Sequence, residues 1–140
     1  MYISETQIRV RYAETDQMGV VYYGNYAQYY EMGRAEAIRQ LGFTYRELEA
    51  LGIKMPVTAL NCRYLRPALY DDLLTIRTTL RKLPQGSVIE FHHEVFNEKG
   101  ELLNTGSVTL VFYDFEKREK ALMHPQMRER LKPFFEEKNA

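Results

Sequence analysis

Cysteine is nearly missing from this chain. Cys62 stands alone among 140 residues, so no intrachain disulfide can form, and the sequence suits a reducing compartment. An excess of either charge is missing as well. Nineteen basic residues balance nineteen acidic ones, intermixed along the chain. That leaves no broad electrostatic footprint for nucleic acid or an anionic membrane, although a small local anion site stays open. No stretch approaches the roughly 18 consecutive apolar positions of a membrane span, and the opening MYISETQIRV lacks the apolar core of a signal peptide. The cytoplasm is the expected location. Several catalytic signatures are missing too. Neither G-x-S-x-G, nor G-x-G-x-x-G, nor a Walker A loop occurs, which argues against a serine hydrolase and a nucleotide-driven enzyme. His92 and His93 are adjacent on an expected strand and therefore face opposite ways. No metal-ligand spacing results, and neither a metal nor a cofactor is expected. Cys62 reads as a small hydrophobe.

What is present suits one globular domain, residues 1–140, with 45% hydrophobic and 27% charged residues. From Gln7 to Tyr12, the residues Ile8, Val10 and Tyr12 alternate with Gln7, Arg9 and Arg11, the period of a half-buried strand. That strand would deliver Glu14 and Asp16 to its end, on one face if the segment stays extended. Asn25 is a plausible N-cap for a long helix whose positions Tyr26, Tyr30, Gly33, Ala37 and Leu41 share a face, widened by Tyr29 and Met32. Gly42 ends it. Thr44 with Glu47 predicts a capping box for a short second helix that Gly52 closes. Beyond Lys54 the pattern is of strands: Met55 to Leu65, Leu73 to Leu83, Ser87 to Phe96 and Leu102 to Phe115, with turns at Pro84-Gln85-Gly86 and Asn97-Glu98-Lys99-Gly100. Pro125 opens a C-terminal helix carrying Met127, Leu131, Phe134 and Phe135, which Pro133 kinks or ends. The fold class is α+β, an antiparallel sheet of about five strands packed on one long central helix.

The chemistry concentrates between Glu14 and Leu41, ETDQMGVVYYGNYAQYYEMGRAEAIRQL. Asp16 lies just before a glycine-containing turn that opens the long helix. A helix start offers unpaired N–H groups and about half a positive charge, which suits a polarised carbonyl. A carboxylate facing it can attack the carbonyl carbon or activate water. By itself, an acidic residue before a helix is more often a capping or solvated group. The run D-x-x-G-V-V-Y-Y-x-N-Y followed by Y-Y-E-x-x-R-x-E, however, resembles the signature segment of the 4-hydroxybenzoyl-CoA thioesterase family of hotdog-fold enzymes. The nearer likeness is to its small bacterial acyl-CoA thioesterase branch, associated with the Tol/Pal envelope system. The likeness continues through Tyr64, Pro67 and Asp72 in YLRPALYDD and covers nearly the whole chain.

This resemblance implies a hotdog fold, a homodimer with sites at the subunit interface, commonly doubled into a homotetramer, and hydrolysis of an acyl-CoA thioester. Asp16 matches the catalytic aspartate of the family, which leaves Glu14 an incidental neighbour. Tyr23 matches the position whose backbone N–H polarises the thioester carbonyl, and Gly24, Asn25 and Tyr26 follow it as expected substrate-binding residues. Tyr23 is also a departure, because the Tol/Pal-associated branch usually carries histidine there. Arg81 and Lys82, just before a turn, are candidates for the phosphates of coenzyme A or simply solvated charges. In some hotdog enzymes a carboxylate on the helix is catalytic, which draws attention to Glu31 and Glu36. Pairing of Glu31 with Arg34 and of Glu36 with Arg39 or Gln40 is the simpler expectation. The tyrosines from Tyr22 to Tyr30 suit a subunit interface or an acyl pocket equally. Two rivals stay open: a non-catalytic acyl-CoA sensor on the same fold, and a hotdog dehydratase, which would need a histidine near the helix start.

Overall fold

In the computed structural model, residues 1–136 are described, and five strands form one antiparallel sheet in the order β1-β4-β5-β6-β3. These are β1 (Tyr2–Arg9), β3 (Val57–Tyr64), β4 (Leu73–Leu80), β5 (Val88–Phe96) and β6 (Leu102–Val111). The long helix α1 (Tyr26–Gln40) packs on β1, β4 and β5. The expected meander is β4-β5-β6, in which Ile76 stands opposite Val95 and Phe91 opposite Val108. Leu74, Ile76, Leu80, Ile89, Leu103 and Leu110 of the sheet share one buried cluster with Tyr29, Tyr30 and Ile38 of α1, each fully buried large side chain contributing roughly 1.5–3 kcal/mol. Helix and sheet approach closely at Gly33, where a Cβ would lie 2.5 Å from Thr78 Oγ1 and 3.0 Å from Ile76 Cγ2.

Several expectations are corrected. β1 begins at Tyr2, not Gln7, and the chain has left the sheet by Tyr12, which is exposed. The inward positions of β1 include polar residues: Ser4 Oγ donates to Gln40 Oε1 (2.9 Å), while Tyr2 OH donates to the Ala37 carbonyl (2.6 Å). Hydrogen bonding to α1, which no local pattern shows, lets a serine face the core. Met32 lies on the exposed side of α1. The strand expected from Met55 to Leu65 is β3, with a further short strand, β2 (Ile53–Lys54), just before it, and the strand expected from Leu102 to Phe115 breaks at Phe112. From there β7 (Tyr113–Asp114) and β8 (Glu119–Lys120) make a small second sheet with β2.

Apart from the start of α1, the helix ends follow their signals. Gly42 adopts φ 95° directly after the last turn of α1, and Thr44 Oγ1 accepts from Glu47 N at the start of α2 (Tyr45–Ala50). Pro125 is the first residue of α3 (Pro125–Leu131), and Pro133 sits in the 3-10 turn that follows. α3 buries Met127 and Leu131, whereas Phe134 stays half exposed against Tyr2. Among the described residues no helix is long and apolar enough to cross a membrane.

Candidate active site

Between β1 and α1 the chain folds into a tight hairpin. A 3-10 turn (Tyr12–Glu14) ends β1's run, Thr15 then bridges Val21, and Val20 bridges Leu69. Asp16 N donates to the Val20 carbonyl (2.9 Å) and Gly19 N to the Asp16 carbonyl (3.0 Å). Gly19 closes the turn at φ 79°, a left-handed conformation that glycine adopts at little cost. The half-buried Asp16 uses Oδ1 to accept from Met18 N (2.8 Å), and its other carboxylate oxygen has no partner among the described residues.

The return limb leads straight into α1. Asn25 N donates to the Tyr22 carbonyl (2.9 Å) in a 3-10 turn, Tyr23–Asn25, that precedes the helix. The N–H groups of Tyr23 and Gly24 donate to nothing among the described residues. The Tyr23 peptide is held from behind, because Tyr64 OH donates to the Tyr23 carbonyl (3.1 Å). A hydrogen bond to Cys62 and then burial push the Tyr64 pKa up to about 12, so this donor keeps its proton. The later part of the motif, YLRPALYDD, lies beneath the hairpin. Val21 N donates to the Ala68 carbonyl (2.8 Å), Asp71 N to the Val10 carbonyl (3.1 Å), and Asp72 Oδ2 accepts from Leu69 N (2.8 Å).

Asp16 thus lies near the tip of the hairpin and Tyr23 and Gly24 at the end of its return limb, with the Tyr22 ring filling the space beside the Gly24 Cα. Four other expectations change. Asn25 occupies the N-cap position without capping: its Nδ2 donates to the Glu14 carbonyl (2.8 Å). Tyr26 is 3% exposed, packed edge-on against Tyr29 and Tyr64, so it supports the junction from the core and is closed to a ligand in this chain. Arg81 and Lys82 follow the far end of β4, whose first residue adjoins the hairpin. Eight residues of strand place them about 25 Å from it, and a single chain does not bring them to Asp16. Glu31 does not pair with Arg34. Glu31 is exposed, while Arg34 is 5% exposed and turns inward to His93 (Nη1 to Nε2, 3.5 Å), leaving its Nε unpartnered among the described residues. Both line a cavity of about 420 Å³ with Tyr45, Leu48 and Phe115, on α1 about 12 Å beyond Tyr23. The Glu36–Arg39 pair does form.

Glu14, read from the sequence as incidental, is the one buried carboxylate among the described residues. Its Oε1 accepts from Arg11 N (3.0 Å) and Tyr29 OH (2.9 Å), and its Oε2 from the Arg11 guanidinium (2.7 Å). Burial raises its pKa, but the hydrogen bonds from Arg11 and Tyr29 and the Arg11 charge outweigh that and hold it below the usual range. The position of Tyr29 on the buried face of α1 was the only signal of this partner that the sequence carried.

A family model described as the thioesterase-like superfamily matches residues 10–131. The chain belongs to this superfamily. It is a thioester hydrolase with the hotdog fold. An acyl-CoA thioester hydrolase of Escherichia coli O6:H1 is 34% identical over 107 residues, covering 76% of this chain and 79% of the relative. An acyl-CoA thioesterase of Haemophilus influenzae is 31% identical over 126 residues, covering 84% and 91%. The crystal structure of a DHNA-CoA thioesterase from Staphylococcus aureus superposes with a TM-score of 0.89 at 37% identity, covering 96% of this chain and 91% of that one.

Proposed function

We propose that this thioesterase hydrolyses an acyl-CoA to a carboxylate and free coenzyme A, with Asp16 as general base or nucleophile and the Tyr23 amide as the carbonyl's hydrogen-bond donor. The observation that carries this reading is the junction itself. A carboxylate with one oxygen uncommitted among the described residues stands on a hairpin whose other limb ends in two N–H groups that find no acceptor among them, at the positive end of a 15-residue helix. As the carbonyl carbon becomes tetrahedral, its oxygen gains negative charge and the Tyr23 N–H bond strengthens. On the general-base route Asp16 takes a proton from the attacking water. On the nucleophilic route its free oxygen forms an anhydride, which water then opens. In either case the C–S bond breaks and the sulfur leaves as thiolate, to be protonated to the thiol.

The acyl-CoA class is supported by the names of the E. coli and H. influenzae relatives, and an aromatic acyl group by the S. aureus enzyme's name. Exposed rings of Tyr22 and Tyr23 beside the amides, with Tyr64 edge-on, offer such a group an aromatic wall. The motif run supports the narrower 4-hydroxybenzoyl-CoA family, with tyrosine at position 23 departing from its Tol/Pal-associated branch. The dehydratase reading lacks its histidine: His93 is buried under α1, His92 pairs with Glu90, and His124 caps α3.

We read β3 as the seam of a homodimer. It is an edge strand bonded only to β6, and Val57, Leu60 and Tyr64 along it are each about half exposed, a strand edge that a single chain leaves unprotected. The further doubling to a tetramer follows from the family resemblance alone. Thiol release from aromatic, short-chain and long-chain acyl-CoAs tests the reading, together with light scattering, which should give at least a dimer mass. Hydrolysis with the highest kcat/KM on an aromatic acyl-CoA is expected. Saturable binding without release of thiol from any of them would replace the enzyme with an acyl-CoA sensor.

A further inference from the structure

Glu14 is bonded on every side yet is closed to substrate. Its carboxylate receives three donors, from Arg11 before it and from Tyr29 in the first turn of α1, while its own carbonyl accepts Tyr22 N (2.9 Å) and Asn25 Nδ2 (2.8 Å). One residue thus ties together the outgoing limb of the hairpin, the return limb and the helix. Asp16 lies two residues beyond it, and the open amides of Tyr23 and Gly24 begin one residue beyond its partner Tyr22. Packing alone would not call for a charge here, since burying a carboxylate is costly and an apolar side chain of similar size would fill the space. At 6% exposure, Glu14 cannot itself reach a substrate. We propose that Glu14 is a positioning residue for thioester hydrolysis, holding the Asp16 turn in register with the amides of Tyr23 and Gly24. The inference rests on the assignment of Asp16 and Tyr23 made above. Its size follows from geometry, because a misplacement of about 1 Å between reacting groups can cost about 10²-fold in rate.

The test is a double-mutant cycle with Asp16→Asn, read as kcat and KM on an acyl-CoA that the wild type hydrolyses. Glu14→Ala should lower kcat by about ten- to a hundredfold while KM stays within about threefold. Glu14→Gln, which keeps an acceptor for Tyr29 OH, should recover most of that loss. In the Asp16→Asn background Glu14→Ala should cost less than about twofold more, because residues acting as a unit are not additive. A general structural defect would instead lower kcat by the same factor in both backgrounds, and that result, or a wild-type kcat in Glu14→Ala, would overturn the proposal. Should Glu14→Ala fail to fold, Tyr29→Phe carries the test by deleting a single hydroxyl. It should lower kcat about three- to tenfold in the wild type and hardly at all beside Asp16→Asn, whereas an unchanged kcat refutes the clamp. Full activity in Asp16→Asn alone would be a failure of the site assignment, visible before any change at Glu14.

Discussion

The two ends of the polar chemistry along α1 are built in opposite ways. Halfway along the helix, Arg34, His93 and Thr78 form a closed spine beneath it. Arg34 can only donate, so His93 Nε2 accepts from it and the Nδ1–H is left to donate to Thr78 Oγ1 (3.1 Å), with the ring stacked on Tyr30 at 4.6 Å. At the start of the helix, an Asp16 oxygen and two backbone N–H groups are left open, while Glu14, Tyr29 and Tyr64 behind them are bonded. Apart from Arg34 Nε, the polar groups of the spine are paired with one another, whereas those at the junction are left with bonding capacity to spare. Changes at the closed spine should therefore move stability, and changes at the open junction should move turnover.

The largest effect that would sharpen this contrast is at the Tyr23 amide. Tyr23→Pro deletes the N–H and should lose roughly 10²–10³ in kcat, about 2.7–4 kcal/mol of transition-state stabilisation, whereas Tyr23→Phe should stay within about threefold. Because proline also fixes φ, the comparison counts when circular dichroism and oligomer mass match the wild type. Equal losses in the two variants would make the hydroxyl the working group, and near-wild-type rates in both would move the donor elsewhere.

A smaller effect, confined to stability, is expected at the closed spine. Burial, the Arg34 charge and His92 lower the His93 pKa to about 3, against about 6.5 in an unfolded chain. Between those values the unfolded chain binds a proton that the fold does not. Stability is then full above about pH 6.5 and falls as the pH drops, by up to about 1.4 kcal/mol per unit. The Glu14 pKa is lowered as well, from a lower starting point, so its contribution is lost only as the pH falls through and below the ordinary carboxylate range. Thermal midpoints from pH 8 to pH 5 should fall more steeply for the wild type than for His93→Gln. Parallel slopes would remove His93 from the account.

How legible this contrast was in the sequence depended on how local its causes are. The tyrosine face of α1, the stop at Gly42, the start at Pro125 and the meander from Leu73 onward rest on periodicity and capping, and they stand where expected. Asp16 and the Tyr23 amide were singled out through a motif, and the structure sets them on the two limbs of one hairpin. Glu14 was set aside because the motif carries the chemistry on Asp16 alone, and its burial was not legible. A 3-10 turn intervenes, and its decisive partner, Tyr29, lies fifteen residues away. Arg34 was assigned to its helical neighbour Glu31, whereas the sheet supplied His93 from a position fifty-nine residues distant. Arg81 and Lys82 drew attention through their charge, and β4 sets them about 25 Å from the hairpin of their own chain.

The most direct measurement is the turnover of Asp16→Asn beside its thermal midpoint. Asparagine keeps the oxygen that accepts from Met18 N and removes the free carboxylate, so the hairpin should survive while the chemistry does not. The account predicts a kcat at least about a hundredfold below wild type, with an unchanged oligomer mass and a midpoint within a few degrees of wild type. Turnover at the wild-type rate in a folded Asp16→Asn protein would contradict it.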